Sequence, residues 1–266
     1  MNSSDRVHTS TADHVAEVTL TRADKHNGLD YPMFDAINEA IDEVGSDRSV
    51  RAVVLSGEGR SFCAGLDFAS VLAEGRPIEE SFVRRDGEIA NEFQRVAYGW
   101  QELDPPVIAA LQGNCLGGGC QIALAADLRI AAPDLRLSIM EVKWGLIPDM
   151  GITQTLPRLV GIDHAKELTW SGRILDAEEA LALGLVTELT DDPHERAREL
   201  AAEIADRSPD AIQRSKRLFE RTWNAAPEEA LALEEKLQRE LLGSPNQLEA
   251  IRAAMSGEPA EYADPT

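Results

Sequence analysis

Two short apolar runs, Ala52-Val-Val-Leu-Ser56 and Val107-Ile-Ala-Ala-Leu111, constrain this chain most. Neither alternates apolar with polar residues, so a strand built from either must be covered on both faces. That is the condition of a strand inside a parallel sheet. The neighbouring segments supply the covers. Val15 to Leu20 reads as another strand. Asp30 reads as a helix N-cap with Pro32 in the first turn. Met33, Ile37, Ile41 and Val44 then recur at helical spacing up to Gly45, which reads as the stop. Strand, helix, strand in this order predicts a right-handed βαβ crossover. A second apolar stripe, Ile89, Phe93, Val96, Trp100 and Leu103, predicts a long helix stopped by Pro105-Pro106.

Each apolar run leads into glycine. Gly57 to Gly65 is a glycine-punctuated loop, and Gly117-Gly-Gly119 opens the helix former Cys120-Gln-Ile-Ala-Leu-Ala-Ala126. Ala69 to Glu80 has no periodicity and reads as a mobile loop. Arg129 to Ala131 and Leu135 to Ile139 are short strand candidates. Gly145 to Gly151 is a loop, and Ile152 to Val160 starts another helix. Beyond Asp191 the pattern becomes helical throughout: Asp192 to Arg207, Pro209 to Asn224, Pro227 to Leu242 and Asn246 to Ser256 are all amphipathic. The organisation expected is an α/β core over 1–191 followed by a helical C-terminal region over 192–266.

Charge and composition exclude several functions. Against 26 Lys and Arg stand 47 Asp and Glu, a formal charge of −21. Such a chain repels nucleic acid and anionic membranes through its general field. An anionic ligand would need basic residues gathered locally. Cys63, Cys115 and Cys120 form no CxxC pair and no disulfide framework, and with no HExxH among the five histidines zinc has no cage. Met1 to Thr11 is polar, without an apolar signal core. The weakly apolar stretch Val107 to Ala132 is broken by Gln112, Asn114, Gln121, Asp127 and Arg129, so it is not a membrane span. The expectation is a reduced, soluble, cytoplasmic protein.

Candidate chemistry gathers at one end of the predicted sheet. A glycine run at a helix N-terminus leaves backbone N–H groups unpaired and approachable, which suits phosphate binding or oxyanion stabilisation. GxxxxGK[ST] is absent and GxGxxG does not fit, which argues against phosphate; the plain alternative is a tight strand–helix turn. Ser61-Phe-Cys-Ala-Gly-Leu-Asp67 follows the first apolar run and falls at the same sheet end, where ligands bind in open α/β sheets. The cysteines read as small buried hydrophobes, without a histidine nearby in sequence to activate them. Glu141, at the end of an apolar strand, and Asp149, in a Pro/Gly-bounded loop, lie among Met140, Trp144, Leu146 and Ile147. Partial desolvation there would raise a carboxyl pKa toward a useful acid/base value. The plain alternatives are a helix N-cap for Asp149 and a salt bridge to Lys143 or Arg136 for Glu141.

Several of these segments, in order, resemble the enoyl-CoA hydratase/isomerase (crotonase) family: Asp24-Lys-His-Asn-Gly-Leu29, Phe62-Cys-Ala-Gly-Leu-Asp67, Pro106-Val-Ile-Ala-Ala-Leu-Gln-Gly113, Leu116-Gly-Gly-Gly119, Leu146-Ile-Pro-Asp-Met-Gly-Ile-Thr-Gln154, and Ser171 to Val186. The resemblance covers Val15 to Leu189 closely and the helical tail loosely. It implies a ββα spiral core, with a helical C-terminal region that builds trimers, often paired into hexamers. It implies an acyl-CoA thioester as substrate, its oxygen held between the backbone N–H groups of Leu66 and Gly118 so that an enolate is stabilised. Coenzyme A is then part of the substrate, and no metal or redox cofactor is implied. In family hydratases two glutamates handle water and protons; one maps to Glu141, the other to Gln121, which cannot titrate. In the dienoyl-CoA isomerase branch an aspartate stands at the Asp149 position and shuttles protons with the glutamate at the Glu141 position, with another aspartate where this chain has Gln121.

The function expected is therefore double-bond isomerisation or hydration of an unsaturated acyl-CoA, a lyase or isomerase reaction with Glu141 and Asp149 as acid/base pair and Gln121 orienting substrate or water. The alternative is an acyl-CoA-binding member with little or no activity, for which Gln121 speaks. The implied substrate and CoA contacts are Lys25, Ala64, Gly65, Asp67, Gly117, Trp144 and Pro148, with Arg22 and Arg60 as further basic candidates. Trp144, Met140 and the Ala69–Glu80 segment are expected to line the acyl pocket. The apolar stripes of the tail exceed what a thin appendage buries on itself, which also predicts a trimer or hexamer.

Overall fold

A computed structural model describes residues 6–84 and 86–266; Met1 to Asp5, part of the segment read as lacking a signal core, lie outside the described residues. The chain opens with a hairpin, β1 (Val7–Ala12) and β2 (Val15–Leu20), paired from Ala12↔Val15 to Val7↔Leu20. Its turn, Asp13-His14, has positive φ at both residues, as two-residue hairpin loops of this kind require. Helix α1 (Tyr31–Ser46) crosses to β3 (Ala52–Gly57), which pairs parallel with β2. The Asp30 side chain caps α1 by accepting from the Met33 N–H. Gly45 does not stop this helix; it lies in the last turn, where the Leu103 side chain closes over it.

Next come α2 (Phe68–Glu74), α3 (Glu92–Glu102), β4 (Val107–Leu111), β5 (Asn114–Leu116), α4 (Gly118–Ala125), β6 (Leu128–Ala131) and β7 (Arg136–Ser138). Two expectations are corrected here. The Ala69–Glu80 segment is not a loop: Asp67 caps α2 by accepting from the Ser70 N–H, and a 3₁₀ turn follows at Ile78–Phe82. Ile89 is not part of the α3 stripe; it is exposed before the Asn91 capping box that starts the helix. Beyond lie α5 (Ile152–Leu159), α6 (Ile162–Ser171), β8 (Leu175–Asp176), α7 (Ala177–Ala182), β9 (Glu188–Leu189), and the tail helices α8 (Pro193–Ala205), α9 (Pro209–Thr222), α10 (Pro227–Leu241) and α11 (Pro245–Ser256).

Among the described residues the strands form a sheet in the order β1-β2-β3-β4-β6-β9, parallel apart from the hairpin, and a smaller sheet β5-β7-β8. Both apolar runs are fully buried strands, as their composition requires. Tyr31, Phe34, Ile37, Val96 and Trp100, from α1 and α3, build the main core on one face of the large sheet. On the other face α8 lays Ala197 and Ala201 against Ala52, Val54, Ile108, Ala110 and Ile130. The small alanine side chains let the helix lie close to the strands. The first tail helix is thus a layer of the α/β core. No described helix is long and apolar enough to cross a membrane.

Candidate active site

Register places the site. β5 and β7 run parallel with Leu116 opposite Ser138, so the segments following them emerge side by side. One begins Gly117-Gly118 and starts α4; the other reaches Met140 and Glu141. The Gly117 N–H donates to the Ser138 carbonyl. Gly117 has φ +53°, a backbone conformation that favours glycine, while a Cβ there would make only ordinary contact with Glu141 Oε1 at 3.6 Å. Glu141 does not end the strand, as the sequence suggested. β7 stops at Ser138, and Glu141 opens a 3₁₀ turn, Glu141–Trp144, closed by Gly145.

The loop after β3 joins from the other side. Cys63 bridges Cys115 in parallel, through Cys63 N–H to Asn114 O and Leu116 N–H to Cys63 O. Leu66 and Gly118 each lie three residues past that bridged pair. A Cβ on Gly65 would sit 2.7 Å from Leu116 O and 3.5 Å from the Gly118 nitrogen, so the two loops touch here. Among the described residues, neither the Leu66 nor the Gly118 N–H donates within the chain. Gly118 is the first residue of α4, where the helix dipole adds positive potential. Contact demands glycine most at Gly119, where a Cβ would strike the Cys63 backbone carbonyl at 2.4 Å; at Gly118 a Cβ would press on the ends of the Leu29 and Met150 side chains at 2.7 and 2.9 Å.

These segments enclose a cavity of about 470 Å³. Leu29, Phe34 and Phe93 lie at its buried end, with Ala64, Gly65, Leu66, Gly117 and Gly118 along one side. Glu141 and Asp149 are the described lining residues that carry charge. Met140 lines the cavity as expected, but of the Ala69–Glu80 segment only Val71 does; Phe68 and Phe82, just outside that segment at either end, line it as well. Trp144, 61% exposed, meets Phe68 ring to ring at 4.6 Å across the mouth.

Gln121, one turn into α4, is 1% exposed and does not reach the cavity wall. Its Nε2 donates to Glu141 Oε1 at 2.6 Å, and its Oε1 accepts the Met150 N–H at 2.9 Å. The amide therefore orients the Glu141 carboxylate and ties down the loop carrying Asp149. The expectation that it would orient substrate or water is corrected by this geometry. Glu141 Oε2 is buried without a partner. Burial pushes the Glu141 pKa up; the Gln121 hydrogen bond opposes this, and the nearby Asp149 charge adds to it. Burial raises the Asp149 pKa as well.

The plain alternatives for both carboxylates are removed. α5 is capped at Gly151 without a side-chain bond, so Asp149 is not its cap. Among the described residues no ion pair involves Glu141; Lys143 and Arg136 do not reach it. The cysteines are sealed in the core, and burial pushes the Cys63 thiol up to about 12 and those of Cys115 and Cys120 up also. They are not nucleophiles.

Other expected residues fall outside the cavity wall. Asp67 caps α2 and pairs with Arg22 at 2.9 Å. Arg22 is itself buried, bound also to Asp30 and the Gly28 carbonyl, so it is a bolt under the loop and not a free cation for ligand. Pro148 is beside Asp149 but does not line the cavity, and Lys25 and Arg60 are exposed outside it. Sequence reasoning missed the aromatic wall, Phe34 and Phe93 at the buried floor and Phe82 at the rim. Phe34 and Phe93 look like ordinary core positions on α1 and α3, and Phe82 lies in a segment without periodicity.

Comparison with known proteins places this geometry. The family model described as enoyl-CoA hydratase/isomerase matches residues 10–256. The short-chain-enoyl-CoA hydratase of Clostridium acetobutylicum is 37% identical over 244 residues, 90% of this chain and 90% of that protein. The mitochondrial Delta(3,5)-Delta(2,4)-dienoyl-CoA isomerase of Mus musculus is 32% identical over 257 residues, 93% of this chain and 78% of that protein. The crystal structure of an enoyl-CoA hydratase from Bacillus anthracis superposes with a TM-score of 0.88 at 29% identity, covering 97% of this chain and 98% of that one.

Proposed function

The chain belongs to the enoyl-CoA hydratase/isomerase family and is an enzyme of that type, and from this premise we propose that it shifts a double bond in an unsaturated acyl-CoA thioester through an enolate. The observation that carries the reading is the setting of Glu141: a desolvated carboxylate in the wall of an apolar cavity, one oxygen held by Gln121 and the other unpartnered.

The steps follow from the chain's own groups. The thioester oxygen accepts from the Leu66 and Gly118 N–H groups, which are preorganised and cost no reorganisation as negative charge grows. Removing one such donor costs about 3–4 kcal/mol of barrier. Glu141 takes a proton from a carbon next to the conjugated system. Burial raises its pKa, which strengthens it as a base, and the Gln121 bond opposes that shift by favouring the ionised form. Asp149, whose pKa is raised chiefly by burial, suits the role of proton donor to the far carbon. Hydration would need a second group to hold and activate water, and Gln121 neither lines the cavity nor titrates. Isomerisation is the reading that uses only what lines the cavity. Asp149→Asn tests it: kcat on 3-enoyl- or dienoyl-CoA falls about 10²–10⁴-fold, with ester affinity retained. Full activity of that variant on every enoyl and dienoyl ester would remove Asp149 from the reaction.

Recognition of the CoA end is proposed for Lys25, which is exposed and free of ion pairs among the described residues. With a net charge of −21, local basic residues must hold the polyanion. Lys25→Glu weakens CoA-ester binding, more at low than at high salt; unchanged affinity at low ionic strength in a titration takes Lys25 out of the site. The assembly proposed is a homotrimer or hexamer. It is supported by the exposed Phe219, Trp223, Leu242, Ile251 and Met255 of the tail.

A further inference from the structure

The cavity wall beyond the thioester position is aromatic and continuous. Phe82 at the rim meets Phe93 edge-on at 5.5 Å, and Phe93 meets Phe34 at 4.8 Å on the buried floor. Val71, Leu29 and Met150 fill in around them. Among the described residues, no Lys, Arg or His lines this cavity; its charged groups are the carboxyls of Glu141 and Asp149. Two basic groups of the elements flanking the cavity are committed elsewhere. Arg76 pairs with Glu92 at 2.7 Å and lies over the Tyr31 ring, and Arg22 is locked to Asp30 and Asp67.

We infer that the acyl group taken by this site is apolar and uncharged, extends past the thioester along the Phe82–Phe93–Phe34 wall, and cannot end in a carboxylate. The inference rests on the acyl-CoA reading above and narrows its substrate class. A terminal carboxylate would be desolvated against aromatic rings, without a cation to pair with and with two other carboxyl groups in the same cavity. An unpaired buried charge is the costliest thing a pocket can be asked to hold. An apolar tail instead gains about four-fold in affinity for each methylene that it buries.

Binding of saturated esters tests this without turnover, by calorimetry at pH 8 with the full chain and butyryl-, pentanoyl-, octanoyl-, 3-phenylpropanoyl- and glutaryl-CoA. Octanoyl- and 3-phenylpropanoyl-CoA should bind at least about tenfold tighter than butyryl-CoA. Glutaryl-CoA should bind at least about tenfold weaker than its near-isostere pentanoyl-CoA. Phe82→Arg, a substitution at a half-exposed rim position, should raise glutaryl-CoA affinity and lower octanoyl-CoA affinity. Equal affinities across the series would overturn the inference and leave the acyl-CoA reading standing. So would a glutaryl-CoA preference. If no ester binds, the acyl-CoA reading fails and this inference falls with it.

Discussion

Glu141→Gln is expected to lower kcat by about 10²–10⁴-fold while acyl-CoA affinity stays near the wild-type value. The amide is almost isosteric with the carboxylate and can still meet Gln121, so the cavity keeps its shape and loses only a titrating group. The wild-type pH profile carries the same information. Burial is the chief cause that raises the Glu141 pKa. The base must be ionised, so kcat/KM falls as pH drops through this raised value. The acid limb should therefore lie above the ordinary glutamate value of about 4.3, and Glu141→Gln should remove it. A variant with wild-type kcat and an unchanged acid limb would show that another group takes the proton.

The second large effect is structural in origin and catalytic in result. Gly119→Ala places a Cβ 2.4 Å from the Cys63 carbonyl oxygen and 2.7 Å from the Cys63 Cβ. The carbonyl belongs to backbone that is bonded to Leu116 N–H, so it cannot swing away without parting the two loops. The expected cost is about 1–3 kcal/mol, a fall in Tm of roughly 3–10 °C. Activity should fall further than stability, because the parted loops carry the Leu66 and Gly118 N–H groups. Gly75→Ala is the contrast. Its φ is also positive, at +69°, but nothing lies within 4 Å of the new Cβ. It should cost about 1–2 kcal/mol of backbone strain alone and leave kcat unchanged. Thermal unfolding and steady-state rates on the two variants separate contact from conformational strain. Equal losses of activity would detach the Gly119 contact from the oxyanion loops.

Much of this architecture was legible in the sequence because burial writes itself into residue type. Ala52–Ser56 and Val107–Leu111 could only be doubly covered strands, and the tail helices each announced a stripe. Elements held by pairing instead of by burial were not legible. β1 is mostly exposed and owes its place to six partners on β2 and an Asp13-His14 turn, a pair less telling than Asn-Gly. β5, β8 and β9 are two or three residues long and owe their existence to neighbours distant in sequence. α2 was missed because its only buried apolar residue is Val71; the Asp67 cap carries it.

The site divides along the same line. Glu141 and Asp149 stood out as carboxyls among apolar residues, and the glycine run stood out by its spacing. What joins them did not. The parallel pairing of Leu116 with Ser138 sets Gly117 beside Glu141, and no local pattern encodes a register. Gln121 was identifiable as a residue that cannot titrate, but its binding to both Glu141 and Met150 depends on two segments that lie 20 and 29 residues away. Arg22 looked like a free cation because its acidic partner Asp67 lies beyond α1 and β3 in the chain.

The central claim is that Glu141 and the Leu66/Gly118 N–H pair together generate a thioester enolate, and proton exchange tests it most directly. Wild-type protein and Glu141→Gln would be incubated in D₂O with 3-octenoyl-CoA and the recovered ester weighed by mass spectrometry. Enolate formation replaces carbon-bound hydrogen next to the thioester or at the far end of the conjugated system with deuterium, whether or not the double bond moves. The account predicts a gain of about one dalton per exchanged position with wild type, slowed at least about a hundredfold in Glu141→Gln. Recovery of unlabelled ester from wild-type protein that has bound it would contradict the account, as would equal labelling by the two proteins.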